Sequence, residues 1–380
     1  MNPTDEILLG REGGLATLTI NRPRALNALT LDNYRRFAPA LRAWAEDPSV
    51  HAVIVRGAGE RAFCAGGDVR AVYEAGRGIS GDRDLPAVFF REEYELIRAV
   101  HRFPKRYIAI IDGITMGGGA GISVNGAYRI ATERTLFAMP ETAIGLFPDV
   151  GATRFLNRCP GQIGRYLGLT GARLGAADAL YCGFATHFVP RDRVSELVEK
   201  LGGLAWEAGR ESEQIDAVLA DFAKNPGSAS LEALRPAIDR CFAGGNVEAI
   251  LVTLAAQATS DGAHAGWAAE TRAGLLTKSP TSLKLTLRQL MTGRDYDLEA
   301  ALALEYRLTQ HVMAGHDFYE GVRAMLIDKD QTPRWRPATL AEVSDRMIEA
   351  YFAPIVVISG FPPVPRPQVK RSSRSPIGEK

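Results

Sequence analysis

Two glycine-rich runs offer backbone chemistry. In the first, Arg61-Ala62-Phe63-Cys64-Ala65-Gly66-Gly67-Asp68, small residues let a ligand approach the main chain closely, and free N–H groups in such a turn can point at an anion or a developing oxyanion. A Gly-Gly pair by itself is more often only a turn. The second run, Gly117-Gly118-Gly119-Ala120-Gly121, lies between a strand-like stretch and a helix. There it exposes the first helical N–H groups, and the helix dipole adds positive potential at the same point. Close packing of a helix on a sheet accounts for this run equally well when it is taken alone. Two separate turns that each supply one amide make an oxyanion hole, in which one well-placed donor is worth roughly 2.7–4 kcal/mol of transition-state stabilisation.

Three carboxylates complement those amides. Glu141 follows Pro140 at the end of a strand, in a loop that holds Ile144, Leu146 and Phe147. Partial desolvation there raises a carboxyl pKa and suits a general base. Asp149 follows Pro148 in the same loop, and Glu93 shares a helical face with Phe89, Leu96, Ile97 and Val100. Each also has a structural reading as a solvated or ion-paired side chain. No complete GxGxxG after a strand, GxxxxGK[ST], HExxH or GxSxG occurs, which removes support for dinucleotide binding, phosphoryl transfer, zinc proteolysis and a serine elbow. His311 and His316 are five residues apart on a predicted helix, on different faces, so no metal site is expected.

The elements that must position these groups alternate in the manner of an α/β protein with a parallel sheet. Strands are predicted at 15–20, 50–55, 107–112 (YIAIID), 128–131 and 136–138, and helices at 31–44, opened by Thr30 as N-cap, and at 89–103, ended by Pro104. Residues 57–67 read as a loop, and 113–119 as a strand-to-helix turn. Beyond about 160 the chain reads as mainly helical apart from 185–189, with amphipathic helices at 280–291, 298–310 and 319–327. The division expected is a core over 1–195, a helical insertion over 196–275, a C-terminal helical subdomain over 276–355 and a disordered Pro- and Arg-rich tail over 361–380.

With 380 residues, 46% of them hydrophobic, the chain can bury a large core. Its formal charge of +1 provides no global field toward nucleic acid or an anionic membrane. No apolar run approaches the ~20 residues that span a bilayer. Cys64, Cys159, Cys182 and Cys241 are scattered, which suits free thiols in a reducing compartment. The N-terminus has no basic or apolar leader pattern. Cytoplasmic residence is the expectation.

Taken together, Asn21-Arg22-Pro23 with Asn27-Ala28-Leu29, then AFCAGGD, DGITMGGGAG and the MPET segment at 139–142 resemble the crotonase (enoyl-CoA hydratase/isomerase) superfamily in order and spacing. The resemblance implies a spiral of ββα units, acyl-CoA as substrate and an oxyanion hole from the amides of Gly67 and Gly118. The hydratases of that superfamily carry two catalytic glutamates. Glu141 stands at the second position, whereas Gly121 occupies the first, so two-carboxylate water addition is not expected.

The further stretches Phe89-Phe90-Arg91-Glu92-Glu93-Tyr94, 137–151, Ser279-Pro280-Thr281-Ser282-Leu283-Lys284, Gly315-His316-Asp317-Phe318 and Glu320-Gly321-Val322-Arg323 look like the superfamily's thioester-hydrolase branch, which acts on 3-hydroxyisobutyryl-CoA in valine catabolism. That likeness implies that Glu93, Gly118, Glu141 and Asp149 form the substrate site. Glu141 would be base or nucleophile, Asp149 would bind the 3-hydroxyl, and Glu93 would border the acyl pocket. CoA would enter as part of the substrate, with no resident cofactor and no metal. A homo-oligomer is the remaining partner expectation, since relatives of this fold commonly form trimers or hexamers. The alternatives are a hydratase or isomerase of the same fold, or a non-catalytic acyl-CoA-binding protein.

Overall fold

The computed structural model describes residues 5–355, and the predicted tail at 361–380 lies outside them. Among the described residues the strands are β1 (Ile7–Glu12), β2 (Leu15–Ile20), β3 (Ala52–Gly57), β4 (Ala62–Cys64), β5 (Arg106–Ile111), β6 (Ile114–Met116), β7 (Tyr128–Ala131), β8 (Leu136–Ala138) and β9 (His187–Phe188). They divide into a larger sheet of order β1-β2-β3-β5-β7-β9 and a smaller one of order β4-β6-β8. Only the β1/β2 pair is antiparallel. In each of the pairs β3/β4, β5/β6 and β7/β8 the first strand joins the larger sheet and the second the smaller. The chain therefore advances one place along both sheets with every repeat. This is the expected spiral of ββα units.

The helices that concern the site are α1 (Leu31–Glu46), α2 (Val69–Gly76), α3 (Leu85–His101) and α4 (Gly118–Val124). α1 opens with a capping box in which Thr30 and Asn33 exchange side-chain and backbone bonds, satisfying N–H groups that a helix start leaves unpaired. The alternating faces of β3 and β5 explain their continuous apolar runs. Val53, Val55, Ala109 and Ile111 point into the main core. Ala52, Ile54, Ile108 and Ile110 pack on the other side with Leu197, Leu201, Ile215 and Leu219, from the helices Val194–Gly202 and Glu211–Phe222. Both faces of the sheet are thus dry, as parallel sheets require.

Two stretches differ from expectation. The predicted loop at 57–67 contains β4, and the predicted turn at 113–119 contains β6. Three-residue strands have no readable alternation, and these two exist because long-range pairing supplies their partners. The expected helix at 319–327 is a short α-helix, Asp317–Val322, continued by a π-helical turn, Arg323–Ile327.

Candidate active site

The first glycine turn is fixed from behind by the 21–29 segment. Asn27 donates from Nδ2 to the carbonyls of Ala58 and Ala62 at 2.9 and 2.7 Å and accepts from Arg22 N at 3.0 Å. Arg22 pairs with Asp68 at 3.1 Å and with Glu6 at 3.0 Å. Leu29 N donates to Gly66 O and Ala65 N to Leu26 O. Asp68 also caps α2, accepting from Ala71 N. The conspicuous Asn, Arg and Asp residues therefore build the turn, and the Gly67 N–H is left out of its stitching.

The second turn meets the first. An ideal Cβ on Gly118 would lie 3.2 Å from Gly67 N, and one on Gly66 would lie 3.4 Å from Gly118 N. Gly118 is the first residue of α4, so its N–H has no acceptor within the helix. The structure thus brings the two predicted amides together at one point. A Cβ on Gly118 would also run into Glu93 Oε1, so that any side chain there would have to displace this buried carboxyl.

The three predicted acids converge on this point, all buried. Glu93, on α3, accepts from Tyr34 Oη of α1 at 2.7 Å. Asp149 accepts from Tyr94 Oη at 2.6 Å. Glu141 opens the 3-10 turn Glu141–Ile144 that follows β8; its Oε1 lies 3.3 Å from an ideal Cβ on Gly117, and its Oε2 has no hydrogen-bond partner among the described residues. An orphaned buried carboxylate oxygen is costly. Burial, reinforced by the charge of Asp149, pushes Glu93 up to about 8 and Glu141 well above the ordinary range, and burial pushes Asp149 up to about 7. Like charges crowded in a dry site cannot all ionise. Among the described residues no group of three His, Cys, Asp or Glu could hold a metal ion, and no helix is long and apolar enough to cross a membrane. The four cysteines are free and buried.

Paired amides at a glycine turn and an acid with an open oxygen are an arrangement for carbonyl chemistry. A sequence profile described as enoyl-CoA hydratase/isomerase matches residues 15–352. The chain belongs to the enoyl-CoA hydratase/isomerase family. It is 48% identical to the 3-hydroxyisobutyryl-CoA hydrolase, mitochondrial, of Danio rerio over 92% of this chain and 89% of that one. It is 46% identical to the human protein of the same name over 92% and 88%. Among solved structures it is similar to a carnitinyl-CoA dehydratase from Mycobacterium thermoresistibile (TM-score 0.84, 40% identity, 93% of this chain and 98% of that one). It is also similar to an enoyl-CoA hydratase from Rhodobacter sphaeroides 2.4.1 (TM-score 0.82, 38% identity, 92% and 98%).

These relatives correct the cytoplasmic expectation, because the curated hydrolases are named mitochondrial. A cellular address is read from a separate targeting segment, so the composition of the folded part and its unpaired cysteines carry no information about the organelle.

Gly121, the position that the resemblance implied for the first glutamate of the hydratases, is closely packed. An ideal Cβ there would lie 2.7 Å from Val150 Cβ and 2.8 Å from Ile97 Cδ1. The room for a second acid is filled with hydrocarbon. Val150 has φ 58, a left-handed conformation that costs a β-branched residue on the order of 1–3 kcal/mol.

The sequence reading missed the tyrosines that hold the acids, and it missed Glu305. This fully buried residue of the helix Leu298–Met313 accepts from Gly151 N at 2.7 Å and Thr153 N at 2.8 Å, beside Asp149. A signal was present. Glu305 shares a helical face with Leu298, Ala301, Leu302 and Leu308, the same conflict of charge and apolar stripe that drew attention to Glu93.

Proposed function

We propose that this chain hydrolyses the thioester of 3-hydroxyisobutyryl-CoA to 3-hydroxyisobutyrate and CoA. The observation that carries this reading is the buried Glu141, which keeps an unpartnered oxygen beside the adjoining glycine turns, together with a Gly121 whose surroundings leave no room for a further acid. Relatives so named at 46–48% identity over about nine-tenths of both chains support the substrate.

The Gly67 and Gly118 N–H groups receive the thioester oxygen as it becomes an oxyanion. Glu141 either attacks the carbonyl through its own oxygen, forming an anhydride that water then cleaves, or takes a proton from a water whose oxygen attacks the carbonyl and replaces sulfur. The C–S bond breaks and CoA leaves as a thiolate, which a neighbouring carboxyl can protonate. Asp149 binds the 3-hydroxyl, and Glu93 with Tyr34 borders the acyl pocket. CoA arrives with the substrate, so no resident cofactor is required. A homo-oligomer is part of the proposal and is checked by light scattering.

The test incubates the purified chain with a panel of acyl-CoAs, following free thiol and enoyl absorbance together. Thiol release that is strongest with 3-hydroxyisobutyryl-CoA is expected. Enoyl formation or hydration without thiol release, as the names of the solved relatives would have it, overturns the proposal. Label found in Glu141 after a single turnover in 18O-water identifies the anhydride route with water attacking the Glu141 carboxyl carbon, and hydroxylamine trapping of the acyl-enzyme separates the base route from attack at the acyl carbon.

A further inference from the structure

The loop that presents Asp149 has one hydrogen bond of its own across the bend, from Ala152 N to Asp149 O at 2.9 Å. Val150 and Gly151 both have positive φ, at 58 and 90, so the chain reverses immediately after Asp149. Valine resists that conformation. Its remaining hold comes from two helices more than a hundred residues later in the chain. Glu305 accepts the N–H groups of Gly151 and Thr153 through separate oxygens, Oε2 and Oε1. Gln289, on the helix Pro280–Thr292, donates from Nε2 to Pro148 O at 2.7 Å and to Thr153 Oγ1 at 2.8 Å. The residue next to Glu305 adds a third hold: the Tyr306 ring lies edge-on to Tyr94 with centroids 6.4 Å apart, and Tyr94 donates to Asp149. Backbone and side-chain partner of Asp149 are thus both braced by one helix.

We propose that Glu305 is a positioning residue for the reaction, setting the reversed bend at Val150 and thereby the direction in which Asp149 meets the substrate. The inference rests on the reading that Asp149 binds the 3-hydroxyl. It identifies the C-terminal helices as the part of the chain that makes the site selective for hydroxylated acyl groups. It also explains why a carboxylate, and not its amide, occupies position 305. Two backbone N–H groups need two acceptor oxygens, and an amide would turn an NH2 toward one of them.

The experiment compares kcat/KM for 3-hydroxyisobutyryl-CoA with that for isobutyryl-CoA, which lacks only the hydroxyl, in the full chain and in its Glu305→Gln, Gln289→Leu and Asp149→Asn variants. A polar group built to meet a substrate hydroxyl discriminates strongly against the analogue without it. Asp149→Asn is expected to collapse the preference, and Glu305→Gln to reduce it about tenfold or more, with Gln289→Leu acting in the same direction but less. A purely structural role would lower Tm and depress both substrates alike, leaving the ratio intact. An unchanged ratio in folded Glu305→Gln, alongside a collapsed ratio in Asp149→Asn, overturns the positioning role and spares the Asp149 reading. An unchanged ratio in Asp149→Asn overturns that reading and this inference with it. Should Glu305→Gln fail to fold, Gln289→Leu decides by the same ratio.

Discussion

The two halves of the site are built by opposite means. The amide half, Gly67 and Gly118, belongs to turns adjoining β4 and β6, paired neighbours in the smaller sheet, and contributes only main chain. The acid half, Glu141 and the 148–153 loop, contributes side chains and is held by the C-terminal helices. Gly321 lies against the backbone of Ile144 so closely that a Cβ would collide with it. Ser279 N donates to Thr142 O, and the Ser279 hydroxyl to Asp317. Sheet pairing fixes peptide groups through its own ladder of hydrogen bonds. A carboxylate that must stay buried and partly unpaired needs rigid packing from outside the loop that carries it.

The largest break expected falls on the acid side. Glu141→Gln keeps the shape but not the base, and lowers kcat by 10²–10⁴-fold, with CoA binding, measured by calorimetry, close to that of the parent chain. Next comes the amide side. Gly118→Ala places a methyl against Glu93 Oε1, and displacing one donor is expected to cost about 10²–10³-fold in kcat. A double variant no slower than the slower of the two single ones would mean that the two halves act as one unit.

A smaller effect sharpens the boundary between them. Gly121→Ala drives a methyl into Val150 and Ile97 and is expected to destabilise the fold by about 1–3 kcal/mol in urea titrations. Gly121→Glu should lose more stability and gain no hydratase activity. Appearance of hydration in that variant would show that the pocket can reopen.

The smallest effect concerns pH. Glu93 has a folded pKa of about 8 against an ordinary value of 4.5, and Asp149 about 7 against 3.8. Because the folded chain keeps these protons longer than the unfolded chain, the two groups cost nothing below about pH 4. They then subtract stability increasingly as the pH climbs to 7–8. Glu93→Gln retains an oxygen for Tyr34 and removes one of these penalties. Its Tm should exceed that of the parent chain by a few degrees at pH 8 and match it near pH 4. Equal Tm values at both pH values would mean that folded and unfolded chains hold the Glu93 proton equally, so that folding does not raise its pKa.

The spiral was implied only by the family resemblance, whereas local pattern in the sequence by itself determined an α/β chain with a parallel sheet, the two glycine turns and the three acids Glu93, Glu141 and Asp149. These are local statements: buried strands read as apolar runs, a helix start after glycines exposes N–H groups, and a carboxylate among hydrophobic neighbours declares itself. Gly121 could be read as a missing acid, but only packing revealed that Val150 and Ile97 already occupy the space. Convergence was likewise a tertiary matter. Tyr34 is 59 residues from Glu93 and Tyr94 is 55 from Asp149, and Glu305 stands 154 residues from the amide it receives. Hydrogen bonds across such separations leave no periodicity in the chain. They are decided when burial forbids each polar group to remain with water and the fold supplies the nearest partner.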